Sequence, residues 1–586
     1  MCFLFPPSSL NSSLTPNPNS SESLHAAESS PGWRRSWWAH GHRATAMASD
    51  TTKALQGAST LAIYNVLLQV SFRVVTFVLN AFILRHLSKE VLGVVNVRLT
   101  LLYSTTVFLA REAFRRACLS RGSSADWRRV INLLWMAVPL GAACAGALGY
   151  VWARWLEAPD AKHVPAYPAA VWAFAVSAVV ELLSEPLWVL AQAHMFVRLR
   201  VCAESLALGS RSILTVVLVF LVPHWGLWVF ALAQLMYAVV LSICYYVYFT
   251  LYIGSTAAKD SHFPISSVRQ MFFTWGTQPF EWALVTLTRS FLMQSFLKQL
   301  LTEGEKYIMT FFNVLNFGDQ GIYDVVNNLG SMVPRFVFLP IEDSFYVFFA
   351  RSLIRGKIAM QQNEDDIAIM AKVLQSLLKL VLLIGVTVLT FGFSYSYLAL
   401  DLYGGSLLSS SGGPMLLRWY SAYVLFLALN GITECFVFAA MEQSEVDRYN
   451  MRLLVLSVVF LVLSYALTRA FGSVGFVLAN CLNMALRLAS SLKFIAAYFR
   501  DTPHEPLAAL RPNLALAFTF LCSWAITAYS ESVLCCDHGV VPRLLHVALG
   551  AACLLAVVIM TARTERELVS FVWQQFLPTF FQTKQS

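Results

Sequence analysis

Hydrophobic stretches of roughly 20 to 30 residues follow one another from Leu61 to Met560, and short polar segments separate them. About 20 apolar residues in a helix are enough to cross the hydrocarbon core of a bilayer. The chain is 57% hydrophobic and only 13% charged, roughly half the charged fraction of a soluble domain. The sequence therefore predicts an all-α polytopic membrane protein.

Length and polarity predict about 14 transmembrane helices. We expect two six-helix lobes at 57–254 and 291–500, a cytosolic linker at 255–290 and a final helix pair at 511–563. Residues 1–50 are rich in serine, proline and asparagine, which predicts a disordered cytosolic extension. Residues 564–586 are expected to form a cytosolic tail.

Lysine and arginine are unevenly distributed among the connections between the predicted spans. The even-numbered connections hold about three times as many as the odd-numbered ones, which places the even connections in the cytosol. Both termini are then cytosolic. We interpret Arg111, Arg115 and Arg116, at the start of the second connection, as part of this topology signal.

The two predicted lobes show a weak internal similarity. Each joins its first two spans by a short turn with acid and glycine, at 87–93 and 317–321, and Val-Val-Asn follows at 94–96 and 325–327. Paired lobes around a site near the membrane midplane are common in secondary transporters. The similarity favours a substrate site between the lobes.

Polar side chains recur at helical spacing on the first two spans of each lobe, so they form stripes on one helix face. Span one carries Gln69, Arg73, Thr76 and Asn80; span seven carries Gln294, Lys298, Thr302 and Glu305; span eight carries Asp324, Asn328, Ser331 and Arg335. If these stripes face one another, they enclose a hydrated cleft.

Four cations lie inside predicted spans, where an unpartnered charge is costly. Arginine grips phosphate oxygens in a two-pronged geometry, so a buried diphosphate is a suitable anion. The candidate ligands of this headgroup are Arg73, Arg98, Lys298 and Arg335, assisted by Gln69, Asn80 and Asn328. The alternative is that each cation pairs with a carboxylate, for example Lys298 with Glu303 or Arg335 with Asp324. We favour the cleft, because four such cations occur together.

Acidic residues inside the spans are candidates for ion coupling or for charge pairing. They are Glu181, Glu185, Glu303, Glu305 and Asp324. Glu181 and Glu185, one helical turn apart, could share a proton or bind sodium. They could equally pair with a cation such as Arg211, and the sequence leaves both interpretations open. No role can be assigned to Glu342 and Asp343 from the pattern alone.

Several activities lack their residues in this sequence. There is no GxxxxGK[ST] loop, no HExxH or zinc cluster and no GxSxG motif. The odd-numbered loops are too small for the acidic lumenal site of a membrane glycosyltransferase, and no basic patch suits nucleic acid. We therefore expect a protein that is not an enzyme, with no catalytic residue, metal, cofactor or nucleic-acid partner.

Five long stretches of the chain resemble the Rft-type family of endoplasmic reticulum proteins. They are TFVLNAFILRHLSKEVLGVVNVRLTLLYSTTVFLAREAFRRACLSR at 76–121, WVLAQAHMFV at 188–197, QSFLKQLLTEGEKYIMTFFNVLNFGDQGIYDVVNNLGS at 294–331, TECFVFAAM at 433–441 and GSVGFVLANC at 472–481. The resemblance extends over almost all of residues 57–563.

This resemblance implies the MATE-like flippase superfamily, with two six-helix lobes that exchange access by rocking. It implies translocation of Man5GlcNAc2-diphosphate-dolichol across the endoplasmic reticulum membrane for N-glycosylation, or obligatory assistance to it. The implied partners are dolichol-linked oligosaccharide and membrane lipids, with N-glycosylation enzymes as further candidates. Two alternatives remain: an ion-coupled small-molecule exporter, and a non-transporting scaffold of the glycosylation machinery.

Overall fold

The computed structural model describes residues 75, 77–120, 126–162, 164–256, 263–276, 279–511, 513–535 and 539–576. Every secondary-structure element in these ranges is a helix. The predicted all-α class is confirmed. The predicted disordered extension at 1–50 and the end of the predicted tail lie outside the described residues.

The first half of the chain forms a bundle around the long helix Lys89–Leu119. Residues 77–84 are helical, and we label them α1. The helices that follow are α2 (Lys89–Leu119), α3 (Trp127–Arg154), α4 (Tyr167–Leu182), α5 (Glu185–Ala193), α6 (Val197–Leu221) and α7 (Leu227–Ile253). α4 and α5 meet at a bend of 41°. We call α2–α7 the N-bundle, in which α2 packs against both α3 and α4.

The second half of the chain forms a second bundle and a helix pair. Its helices are α8 (Trp282–Thr302), α9 (Gly304–Phe312), α10 (Phe317–Gly330), α11 (Leu339–Ser352), α12 (Glu364–Gly404), α13 (Gly413–Ala440), α14 (Gln443–Phe471) and α15 (Val474–Tyr498). We call α8–α15 the C-bundle; its first helix, α8, packs along α2 of the N-bundle. The pair α16 (Leu514–Leu534) and α17 (Val540–Thr564) joins the C-bundle through α12, and α18 (Arg566–Phe576) follows it.

The number of membrane spans is lower than the sequence predicts. Within the described ranges, ten helices are long and apolar enough to cross a membrane, or eleven if the bent pair α4–α5 counts as one span. The predicted count of about 14 is therefore not confirmed. Predicted spans seven and eight are interrupted: α8 and α9 separate at Glu303, and a π-helix at Pro334–Phe338 lies between α10 and α11. Most of predicted span one lies outside the described residues.

Short polar side chains cap the starts of α2 in the N-bundle and α10 in the C-bundle. The Ser88 hydroxyl accepts the Val91 N–H at 3.3 Å at the start of α2, and the Asn316 side chain accepts the Asp319 N–H at 2.8 Å at the start of α10. Each cap satisfies a backbone donor that the helix itself leaves free. The two similar turns in the sequence are thus two similar helix starts.

α2 and α10 cross at glycines, and this crossing joins the two bundles. A Cβ atom on Gly93 would lie 1.7 Å from the Phe317 carbonyl oxygen, and one on Gly321 would lie 2.6 Å from the Gly93 nitrogen. Such close backbone contact between helices requires small residues. Leu92 and Val97 of α2 also belong to the apolar core of the C-bundle. We call this end of the molecule, where α2 and α10 begin, the turn face.

Candidate functional site

A buried arginine ties the bundles together near the turn face. Arg98 lies in a π-helical segment of α2, Val94–Leu99, and is fully buried. Its Nη1 donates to the Glu157 carbonyl oxygen at 2.8 Å, and its Nη2 donates to Asn313 Oδ1 at 2.5 Å. Asn313 follows α9 with a φ of 45°, a left-handed conformation that asparagine tolerates. In this conformation the guanidinium of Arg98 is engaged by protein groups.

Further polar contacts continue between α2 and α8–α9, away from the turn face. The hydroxyls of Thr105 and Tyr307 share a hydrogen bond of 2.7 Å, and Gln299 Nε2 donates to the Thr105 hydroxyl at 3.4 Å. Thr105 and Gln299 are buried, so water does not compete for these bonds. These contacts close one side of the space between the bundles.

Lys298 lies at the far end of the same row of contacts. Its ammonium is 3.2 Å from the Glu112 carboxylate, which also pairs with Arg116 at 3.0 Å. Lys298 thus pairs across the bundles and not with Glu303, which instead pairs with Lys306 at 3.1 Å. We call the contacts that line α2 from Arg98 to Glu112 the seam. Along α2 the seam is about 21 Å long. This length is most of the thickness of the hydrocarbon core of a bilayer.

The exposed polar side chains lie elsewhere, on α10 and the π-helix that follows it. Asn328 and Arg335 are both exposed. Within the described residues Arg335 forms no ion pair, and the buried Asp324 accepts a hydrogen bond from Asn328 at 3.0 Å instead. Asn80, at the end of α1, is exposed as well. If this segment lies within the membrane, its exposed cation requires water or an anionic partner.

The structure therefore divides the predicted headgroup residues. Arg98 and Lys298 are engaged in the seam, whereas Arg335, Asn328 and Asn80 remain accessible. Gln69 and Arg73 lie outside the described residues, and their role stays a prediction. Arg335 is therefore the accessible cation among the described members of the set.

Glu305 is held by neutral donors. The Tyr323 hydroxyl donates to one of its carboxylate oxygens at 2.7 Å, and Asn480 Nδ2 donates to the other at 2.6 Å. Asn480 lies on α15, so this contact joins α9 to the far side of the C-bundle. The carboxylate organises the packing of three helices.

Glu181 and Glu185 flank the bend between α4 and α5. Arg111 donates to Glu181 at 2.6 Å, and Arg115 makes a two-pronged bond to Glu185 with its Nη2 2.7 Å from Oε2. The Arg115 guanidinium also lies 3.5 Å from the ring centre of Trp188. Two arginines one turn apart on α2 therefore match two carboxylates one turn apart. This arrangement supports the charge-pairing interpretation, with Arg111 and Arg115 as the partners.

Sequence reasoning missed several of these contacts. Arg111 and Arg115 were assigned to topology, although their spacing equals that of Glu181 and Glu185 and could have indicated a paired ladder. Asn313 carries no local signal, because its contact with Arg98 joins residues far apart in sequence. Among the described residues, no group of three or more histidine, cysteine, aspartate or glutamate side chains is placed to hold a metal ion.

Comparison with known proteins gives consistent matches along the chain. The sequence model of the family described as Rft protein matches residues 57–575. A relative from Mus musculus, named Man(5)GlcNAc(2)-PP-dolichol translocation protein RFT1, is 56% identical over 89% of this chain and 97% of its own length. Relatives of the same name from Xenopus tropicalis and Drosophila melanogaster are 53% and 38% identical, over 90% and 87% of this chain and 98% and 96% of their own lengths.

One solved structure shares the overall architecture. The lipid II flippase MurJ, in an inward closed conformation, superposes with a TM-score of 0.57 at 11% identity. The superposition covers 86% of this chain and 100% of the MurJ chain. At this identity the likeness shows the fold alone.

Proposed function

We propose that this chain, which belongs to the Rft protein family, moves Man5GlcNAc2-PP-dolichol from the cytosolic to the lumenal leaflet of the endoplasmic reticulum membrane, or is an obligatory part of that movement. The assignment of this substrate is taken from the names of the related proteins. One observation carries the proposal: Arg335 is an exposed cation in the π-helix between α10 and α11, without an ion pair in the described part of the chain. A diphosphate supplies the negative counter-charge that the Arg335 guanidinium lacks.

The accessible face around Arg335 suits the other parts of this substrate. Asn328, about two helical turns before Arg335, offers an amide donor and acceptor to sugar hydroxyls, and Asn80 is exposed on α1. Phe336 and Val337, beside Arg335, are 44% and 37% exposed and present apolar surface to a polyprenyl chain. The seam closes the opposite side between α2 and α8, so the lipid lies on the side of α10 and α11.

The direction of opening follows from the proposed orientation. If both termini are cytosolic, the turn face is lumenal, and the glycine crossing and Arg98 close the cleft toward the lumen. The described conformation then receives its substrate from the cytosol. Release on the lumenal side requires the contacts at the turn face to separate while the two bundles rock.

The test replaces Arg335 in cells depleted of the native protein. Arg335→Ala, Arg335→Lys and wild type serve as rescue copies, and the dolichol-linked oligosaccharides are sized. We expect accumulation of the five-mannose intermediate with Arg335→Ala at normal protein level, because the diphosphate loses its two-pronged partner. Arg335→Lys should correct it partly, since it keeps the charge and loses the fork geometry.

The matched control is Arg511→Ala, because Arg511 is 78% exposed in a surface pair with Glu505. Full correction by a stable Arg335→Ala protein would contradict the headgroup assignment. If depletion accumulates the intermediate and no cleft variant does, a helper or scaffold role for N-glycosylation enzymes is favoured, and the cytosolic linker at 255–290 is then the segment to vary.

A further inference from the structure

The C-bundle holds a small cavity whose lining is mostly apolar but includes three polar side chains. Its volume is about 20 Å³, room for one water molecule. Three polar side chains line it, Glu342 of α11, Asn430 of α13 and Arg487 of α15, together with Pro334 and Phe338 of the π-helix. The proposed substrate contacts use none of these three polar groups.

Glu342 is a buried acid without a compensating charge. Its side chain is 7% exposed, and its carboxylate packs against the backbone of α13, where a Cβ on Gly431 would lie 1.8 Å from Oε1. In the described ranges of the chain, no cation forms an ion pair with it. Ionised, it would be an uncompensated charge in a low-dielectric interior, which is strongly unfavourable.

The neighbouring charges do not supply the missing partner. Arg487 is committed to Glu434, through Nε to Oε1 at 2.8 Å and Nη2 to Oε2 at 2.6 Å. Asp343, next in sequence, is exposed and negative, and Cys435 donates its thiol to the backbone oxygen of Glu342 at 3.5 Å. The surroundings of Glu342 therefore favour its neutral, protonated form.

Asn430 provides the second half of a site. It is 4% exposed and lines the same cavity, and its Oδ1 has no hydrogen-bond donor among the described residues. A buried acceptor of this kind requires a donor. A carboxyl O–H can donate to a water, and that water can donate to Asn430.

We infer that Glu342 and Asn430 form a proton-binding site inside the C-bundle, with one water bridging the protonated carboxyl and the amide oxygen. The site differs from the pair Glu181 and Glu185, whose carboxylates are each neutralised by an arginine. After loss of the proton the water could still donate to both oxygens, but the buried carboxylate would carry a charge that no ion pair in the described residues compensates.

The position of this site links proton binding to the substrate face through the π-turn that carries Arg335. The π-turn closes where the Leu339 N–H donates to the Pro334 carbonyl, three residues before Glu342, and it carries Arg335. π-segments inside helices often occur at functional sites. Protonation of Glu342 biases the packing behind this turn and thereby the presentation of Arg335. This link rests on the proposed function, whereas proton binding itself does not.

The experiment is infrared difference spectroscopy of the full-length protein in lipid nanodiscs as a function of pH. We expect a carboxylic-acid C=O band that titrates and is absent from Glu342→Gln. Asp343→Asn, at the adjacent exposed acid, is the matched control and should keep the band. Asn430→Ala should move the titration midpoint to lower pH, because the neutral acid loses its water-mediated acceptor.

An unchanged carboxyl spectrum in Glu342→Gln would overturn the inference. Thermal stabilisation by sodium at constant ionic strength, present in wild type and lost in Glu342→Gln, would also overturn it by showing a metal cation in place of the proton. If Glu342→Gln does not fold, an unshifted midpoint in Asn430→Ala counts against the site. No lipid-linked substrate is needed, so the result is independent of the proposed cargo.

Discussion

Buried ionisable side chains in this protein are supported by specific partners. Glu434 and Arg487 are 6% and 4% exposed and form a two-pronged pair, and the Tyr449 hydroxyl donates to the same carboxylate at 3.1 Å. In such a pair the attraction offsets the loss of hydration only while both members are present. Replacing one member of the pair therefore lowers the free energy of unfolding more than replacing both members with neutral side chains.

Glu434→Gln should lower the free energy of unfolding by about 3–5 kcal/mol, because it leaves the Arg487 charge buried and unpaired. The double variant Glu434→Gln with Arg487→Met should recover much of this loss. Denaturant unfolding in detergent micelles measures both. Glu505→Gln, in a pair whose members are 70% and 78% exposed, is the control and should change little. If Glu434→Gln and Glu505→Gln lowered the free energy of unfolding equally, this account would be contradicted.

At the scale of helices, the contact between α2 and α10 depends on the absence of side chains. Gly93 faces the Phe317 carbonyl, and Gly321 faces the Gly93 backbone. The π-segment of α2 follows directly and places Arg98 against the start of α10. The glycines and the π-segment act together: close approach brings Arg98 within reach of Asn313 in the other bundle.

Gly93→Ala should separate α2 from α10 and open the turn face, because the added Cβ overlaps the Phe317 carbonyl. The measurement is the distance distribution between spin labels on Lys162 and Ser410, exposed residues of the two bundles. We expect longer and broader distances than in wild type. Gly146→Ala is the control, since nothing lies within 4 Å of a Cβ there. An unchanged distribution in Gly93→Ala would mean that the crossing does not hold this end closed.

At the scale of the whole molecule, the two bundles meet in two different ways. The turn face is joined by backbone contact at the glycines, whereas the seam is joined by side chains, from Arg98 to the pair Glu112 and Lys298. The pair is partly exposed, so its bonds exchange with water at small cost. A seam of this kind can separate during a rocking motion.

Charge exchange at the seam distinguishes a contact between bundles from a substrate ligand. Glu112→Lys and Lys298→Glu should each impair correction of the oligosaccharide profile, and the two together should restore part of it, because the pair reforms with reversed sign although Arg116 loses its carboxylate. If Lys298 instead binds the diphosphate directly, the double variant stays defective. The same sizing of dolichol-linked oligosaccharides reads out all three variants.

The sequence by itself determined the helical membrane class and the family. Apolar length and the patterns of the 87–93 and 317–321 turns are local, and the bilayer leaves helices as the only way to satisfy backbone groups in segments of this kind. The stretches around those turns also carried the resemblance that the family comparison confirmed. The number of spans was predicted less well, since Glu303 and Pro334 interrupt stretches that are continuous in hydrophobicity.

Tertiary structure decided which charges are free. Arg98, Lys298 and Arg335 are equivalent as cations inside predicted spans, yet the first two are engaged across the bundles and the third is exposed. Their partners, Asn313 and Glu112, lie far away in sequence, and helical periodicity carries no information about such distant contacts. The same holds for Glu342, whose lack of a partner becomes visible only when α13 and α15 enclose it. The sequence places several charges inside apolar stretches, and the packing of the helices decides which of these charges have an ion-pair partner.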